Sequence, residues 1–371
     1  MLIPVSRSCV LVLATALLAV GGCSSSNRRV ELQGIFAPTG SMAEARHGHT
    51  ATLLPDGKVL ITGGEIDRSP TAGAELYDPR AGAFTATGNM TVARVFHSAT
   101  LLHSGNVLIV GGFADNSVTA SAELYDPVAG TFTATGTMAW ARGWNAATLL
   151  PSGEVLIVGG SATSTMGEIY DPAAGIFLAT GDMTVLRSGC TATLLPTGKV
   201  LIAGGYNGTA AEIYDPATGT FAMASDMTVA MDGHTATVLP NGKILFAGGF
   251  LDTVDPSSTV SSAVIFNTTC DLYDPRTGTF ATTGSMIAER VSHTATVLLD
   301  GKVLIAGGHS TNQNLASAEL YDPATETFAA AGSMTAPRVD FTATLLSSGE
   351  VLIAGGQSDM AWATASAELY E

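Results

Sequence analysis

The pair Gly-Gly recurs seven times in this 371-residue chain, ending at Gly64, Gly112, Gly160, Gly205, Gly249, Gly308 and Gly356. Successive copies lie 48, 48, 45, 44, 59 and 48 residues apart. A unit of that length cannot cover its own apolar faces, so it must stack on neighbours, and the period is that of a propeller blade. Each copy predicts four strands. In the second they are His97–Leu102, Val107–Val110, Ala122–Tyr125 and a strand at Phe132. The second strand, Val107-Leu108-Ile109-Val110, is apolar on both faces, as a sheet packed between two other sheets requires. Between first and second strands, Asp56-Gly57, Asn241-Gly242 and Asp300-Gly301 predict two-residue type I′ hairpins. Between third and fourth, Asp126-Pro127 followed by Gly130 predicts a type I turn with a left-handed bulge residue. With 13% charged residues and 42 glycines, the composition is that of an all-β chain with many tight turns.

The diglycine Gly111-Gly112, the third-strand Glu123 and Tyr125, and an aromatic seven residues after the tyrosine resemble the kelch repeat. The resemblance covers residues 36 to 371 and implies a seven-bladed β-propeller of four-stranded antiparallel blades. One departure is that Phe84, Phe132, Phe177, Phe221, Phe280 and Phe328 stand where that family usually has Trp. The last copy stops at Tyr370-Glu371 without a fourth strand, whereas Gly34, Phe36, Thr39, Gly40 and Met42 repeat the spacing of Gly82, Phe84, Thr87, Gly88 and Met90. The N-terminal strand is therefore expected to complete the C-terminal blade, which removes the free edges of an open array.

Ahead of the propeller, residues 1–22 read as an export signal. Their apolar run, Val10 to Val20, is too short to span a bilayer. Gly21-Gly22-Cys23 resembles a lipobox, which makes Cys23 the lipidation residue, and Ser24 after it resembles outer-membrane sorting. Residues 23–33 form the lipidated tether and residues 34–371 the propeller. Acyl chains on Cys23 are the expected membrane contact, at the outer membrane or cell surface, for a monomeric protein. The formal net charge is −16, and Lys58, Lys199, Lys243 and Lys302 all occupy one equivalent turn, so no basic stripe exists for nucleic acid. The acidity reads as a solubility feature rather than a sign of a cationic partner. Cys190 and Cys270 occupy different repeat positions and read as separate buried thiols.

Arg46, Arg94, Arg142, Arg187, Arg290 and Arg338 recur four residues after the repeat Met, with Met231 the exception. An acid precedes each repeat Tyr by two residues: Glu75, Glu123, Glu168, Glu212, Asp271, Glu319 and Glu368. A sevenfold pattern argues for buried bracing pairs rather than catalysis, with Met231 expected to leave Glu212 or Glu168 unpartnered. His49, His97, His234 and His293 share one position with Asn145, Cys190 and Phe341, which reads as structural rather than metal-binding. The Asp-Pro turns supply one carboxylate each, far short of a calcium site.

Variation is concentrated where strands four-to-one and two-to-three connect. Comparing copies two residues after the Arg and just after the diglycine singles out Phe96, Phe113, Trp144, Tyr206, Asp232, Phe250, His309 and Asp340 as a candidate ligand-binding mouth. The fifth copy adds an insert, Asp252 to Asn267, whose Val264, Ile265 and Phe266 are expected to fold over the mouth or dock a partner. The favoured reading is a binding or scaffold module for a protein or glycan, without metal or cofactor. The resemblance also admits an enzyme, a sugar mutarotase or a copper radical oxidase. The latter's crosslinked Tyr–Cys pair lacks a source, because seven of the eight tyrosines fill the blade position, leaving Tyr206.

Overall fold

The computed structural model describes residues 34–371 apart from 116, 207, 254–262 and 360, and omits the side chains of 252, 253, 263 and 264. The export signal, Cys23 and the tether lie outside the described residues. Seven four-stranded antiparallel sheets are present, and no helix occurs among the described residues. Blade 1 comprises Thr50–Leu53, Val59–Thr62, Ala74–Asp78 and Ala83–Ala86, hydrogen-bonded in that order. Blades 2 to 7 begin at Ser98, Ala146, Thr191, Thr235, Thr294 and Thr342.

Every second strand is buried along its whole length, from Val59–Thr62 to Val351–Ala354. The reason is the packing. The apolar core is seven clusters, each drawn from two adjacent blades, rather than one central mass. Met42, Val59, Ile61 and Tyr77 of blade 1 pack on Leu346, Leu352 and Ala354 of blade 7 just as inner blades pack on one another. The seventh blade is completed by Phe36–Pro38, with Phe36 opposite Tyr370 and Pro38 opposite Glu368. The ring closes as the sequence requires.

The diglycine has a structural explanation. In each blade the first glycine is left-handed and the second, left-handed too, donates its N–H to the carbonyl of the residue at the Arg position in the next blade. Gly64 to Arg94 and Gly112 to Arg142 are examples, and Gly356 to Arg46 joins the last blade to the first at 2.9 Å. A Cβ on Gly112 would sit 2.7 Å from the Val95 carbonyl oxygen, so a side chain there is excluded by both φ and space.

The hairpins between first and second strands depart from the type I′ expectation. Gly57 donates to the Leu54 carbonyl, Leu54 donates to the Lys58 carbonyl, and Gly57 has φ 87° while Asp56 stays in the negative region. This is a three-residue loop, a type I turn with a glycine bulge, and Pro55 with its fixed φ suits the first corner of such a turn. The Asp-Pro turns match their expectation. Gly82, Gly130, Gly175, Gly219 and Gly278 are left-handed at the bulge, and Glu326 takes the same conformation in blade 6 with φ 55°.

Candidate recognition face

Six buried ion pairs brace the blades: Arg46–Glu75, Arg94–Glu123, Arg142–Glu168, Arg187–Glu212, Arg290–Glu319 and Arg338–Glu368, at 2.8–3.1 Å. Each pair lies within one blade. The guanidinium also reaches the first diglycine carbonyl, as Arg94 does to Gly111 at 2.8 Å. The acid without an arginine is therefore Asp271, a correction to the expectation that Glu212 or Glu168 would be left over. Asp271 is wholly buried and accepts from the Thr228 N–H at 2.7 Å and from its hydroxyl. Met231, also fully buried, occupies the arginine position within an apolar cluster.

The shared histidine position is an inter-blade latch. His97 Nε2 meets Thr50 Oγ1 of the previous blade at 3.0 Å, and His49, His234 and His293 meet Thr342, Thr191 and Thr235. Asn145 makes the equivalent bond to Ser98. Burial holds His49 down to about 3, His234 to about 4 and His293 to about 3, so these rings are neutral at pH 7. Cys190 and Cys270 are free and buried, and desolvation pushes their thiols up to about 11 and about 12.

Above this layer the residues two positions after each Arg form a ring of seven left-handed backbones: Gly48, Phe96, Trp144, Gly189, Gly233, Ser292 and Asp340, with φ between 51° and 70°. Backbone bonds run round it, from Phe96 N–H to Gly48, Trp144 to Phe96, Gly48 to Asp340 and Asp340 to Ser292. Glycine is the natural occupant of such positions, and a side chain there costs roughly 1–2 kcal/mol. Phe96, Trp144, Ser292 and Asp340 carry that strain, and all but Ser292 line one open pocket of about 320 Å³ at the mouth.

The predicted site residues sort into groups. Phe96 and Phe113 each pack on Trp144, with ring centres 5.3 Å and 4.5 Å from it, the Phe113 contact being edge-to-face. Asp232 leans over Gly189, whose added Cβ would stand 2.4 Å from its carboxylate. Phe250 and His309 gather at 6.4 Å and 5.6 Å around Phe266 of the blade 5 insert, with the Phe250 ring 3.9 Å from where a Cβ on Gly233 would stand. That insert is a ribbon of Phe250–Thr253 against Ala263–Phe266, with Ile265 half-exposed; Val264 lies outside the described side chains. Phe266 packs on the His309 ring of blade 6, outside the group at the mouth. Tyr206 stands exposed in blade 4.

The sequence comparison passed over Glu65, which follows the first diglycine, and missed His47, Arg68 and Trp362. His47 is buried between Phe96 and Trp362, both ring nitrogens lack a hydrogen-bond partner, and Nε2 lies 3.9 Å from Glu65. Trp362 Nε1 donates to Glu65 at 3.0 Å, and Arg68 lies over the Trp362 ring at 5.0 Å. A signal was available, because the chain has three tryptophans and none of them recurs at the equivalent position of another copy. Trp140, Trp144 and Trp362 are 38%, 50% and 40% exposed, all on the loop face.

The opposite face holds a groove of about 440 Å³ between the turns of blades 1 and 7, and a smaller one of about 250 Å³ between blades 2 and 3. Both are lined by repeated turn residues, so they are by-products of blade spacing.

Residues 290–335 match the Kelch motif. No curated protein sequence matches the chain. Among solved structures, a fungal alcohol oxidase of the AA5 family in complex with copper superposes with TM-score 0.75 at 19% identity, covering 91% of this chain and 76% of that one. YjhT superposes with TM-score 0.61 at 13% identity, covering 79% and 99%. At those identities the likeness is one of fold. The chain thus carries a Kelch motif within a seven-bladed ring.

Proposed function

We propose that the protein is an exported, membrane-anchored binding or scaffold module that takes a protein or glycan ligand on its loop face, residues 1–22 being removed and Cys23 lipidated. One observation carries the reading: all three tryptophans are partly exposed on that face, although tryptophan is the residue with the most apolar surface to bury. Aromatic surface rimmed by carboxylates suits a recognition patch rather than a structural surplus. The test is a glycan array and a partner-binding assay with wild type, Trp144→Ala/Trp362→Ala and, on the turn face, Leu299→Ala. Binding should survive Leu299→Ala and vanish in the tryptophan pair; equal loss in both would defeat the reading. Incorporation of labelled palmitate, lost in Cys23→Ser, is expected for the anchor.

A catalytic reading by analogy with the copper-bound oxidase is not favoured. Among the described residues no group of three or more His, Cys, Asp or Glu has the arrangement to hold a metal. Among the described residues the thiols, Cys190 and Cys270, are buried while Tyr206, the tyrosine outside the blade pattern, is exposed.

A further inference from the structure

The mouth is more specific than an aromatic patch. Around the ring of left-handed backbones the order is Asp340, Gly48, Phe96, Trp144, Gly189, and the Asp232 carboxylate overhangs the last of these. Two aromatic faces are thus flanked on each side by a carboxylate, with glycines leaving the gaps. No Lys or Arg lines the pocket, and its histidines, His49, His97 and His234, are neutral.

Charge placement points the same way. Of the described lysines and arginines outside the buried pairs, Lys58, Lys199, Lys243, Lys302, Arg80 and Arg276 sit in turns of the opposite face. Arg68 is the one on the loop face, and it already lies on Trp362 beside Glu65. The loop face holds Glu44, Asp115 and Glu289 besides Glu65, Asp232 and Asp340. Acids stand on both faces, Asp56, Asp78, Asp126 and Asp171 among those in the opposite turns, so it is the unburied cations rather than the net charge that are segregated, and the loop-face carboxylates are left with Arg68 alone among the described unburied cations. Desolvation also raises the Asp340 carboxyl, against the opposing influence of His47 and a hydrogen bond from Ser292, so a cation arriving there would relieve a buried anion. Strained backbone at Phe96, Trp144 and Asp340 serves to aim these three side chains into one pocket.

We infer that the mouth binds an organic cation, an alkylammonium or guanidinium group, against Phe96 and Trp144 between the carboxylates of Asp340 and Asp232. The inference rests on the loop face being the recognition surface. A ring face attracts a cation through its quadrupole, and flanking carboxylates add a long-range term that salt weakens. Such a group could come from a free small cation or from a Lys or Arg side chain of a polypeptide.

The experiment is a tryptophan-fluorescence titration of the purified full-length protein. Choline is compared with its uncharged carbon isostere 3,3-dimethylbutanol, and a heptapeptide with one central arginine is compared with its citrulline counterpart. The charged member of at least one pair should bind about tenfold or more tighter than its neutral match, with weakening at high salt. Trp144→Ala and Asp340→Asn should each reduce that binding about tenfold while leaving the melting temperature near wild type, and Lys58→Ala should not change it. Choline binding alone assigns a free cation, and peptide binding alone assigns a polypeptide side chain; either supports the inference. Equal affinity for charged and neutral members, or no saturation by either cation, overturns it. If a neutral glycan then binds and is lost in Trp144→Ala, the recognition face stands and the cation falls; if nothing binds that face, both fall.

Discussion

The two faces of the ring are built by the same repeat and differ in what the repeat allows. On the turn face each hairpin follows one geometric recipe, with a left-handed glycine such as Gly57, Gly105 or Gly153 after a type I turn. On the loop face the backbone is just as regular, a left-handed ring and a bridge such as Val95 to Phe113 in most blades, but the side chains on it change from blade to blade. Glycine satisfies that ring at three positions, whereas Phe96, Trp144, Ser292 and Asp340 occupy it against steric preference. Where a repeat sets the backbone yet leaves the side chain open, departures from its cheapest residue mark selection for something other than folding.

The comparison is broken first at the bracing layer beneath both faces. Arg94→Met should destabilise by about 3–5 kcal/mol, because it leaves the Glu123 carboxylate buried and uncompensated, while Trp144→Ala should cost about 1 kcal/mol. Urea denaturation measures both, and a similar cost for the two would erase the distinction between scaffold and surface.

Acid should act on the latch histidines. Their folded pKa lies below the ordinary 6.5, so the unfolded chain takes up protons first. Stability is then full above about pH 6.5 and falls as pH drops towards 4 and 3, at about 1.4 kcal/mol per histidine per pH unit. His97→Asn, which copies the Asn145 solution of blade 3, should flatten the acid limb in a pH series of melts.

Blade 5 sharpens the comparison at intermediate size. Met231→Arg and Asp271→Glu together rebuild the pair that the other blades carry, and a double-mutant cycle should show favourable coupling of about 1–3 kcal/mol. Zero coupling would mean that blade 5 has repacked beyond the reach of the pair. On the loop face, Asp340→Gly should raise stability by about 1 kcal/mol in a chemical melt, since strain and a partly desolvated carboxyl are removed together. On the turn face, Lys58→Ala should stay within about 0.5 kcal/mol, its ion pair with Asp56 being exposed.

The ring was legible because one local pattern, repeated seven times, leaves a single way to cover both faces of each second strand. Phe36 and Thr39 disclosed the closing strand through spacing alone. Residues that depend on which of two neighbours a side chain reaches were not legible. The repeat arginine sits between blades, and only the fold shows that Arg142 and Arg187 turn to Glu168 and Glu212 of their own blade. The hairpin type was misread because Asp-Gly fits two loop lengths, and the conformation of Asp56 decides between them. Trp362 and His47 escaped because they lie off the two positions compared; the scarcity of tryptophan was the better guide.

The central claim, that the core does without tryptophan while the loop face displays it, is most directly tested by N-bromosuccinimide oxidation of the native protein. All three tryptophans should react without denaturant, alongside an acrylamide quenching constant between that of a buried indole and that of the unfolded chain. A tryptophan that reacts only after unfolding would contradict the account.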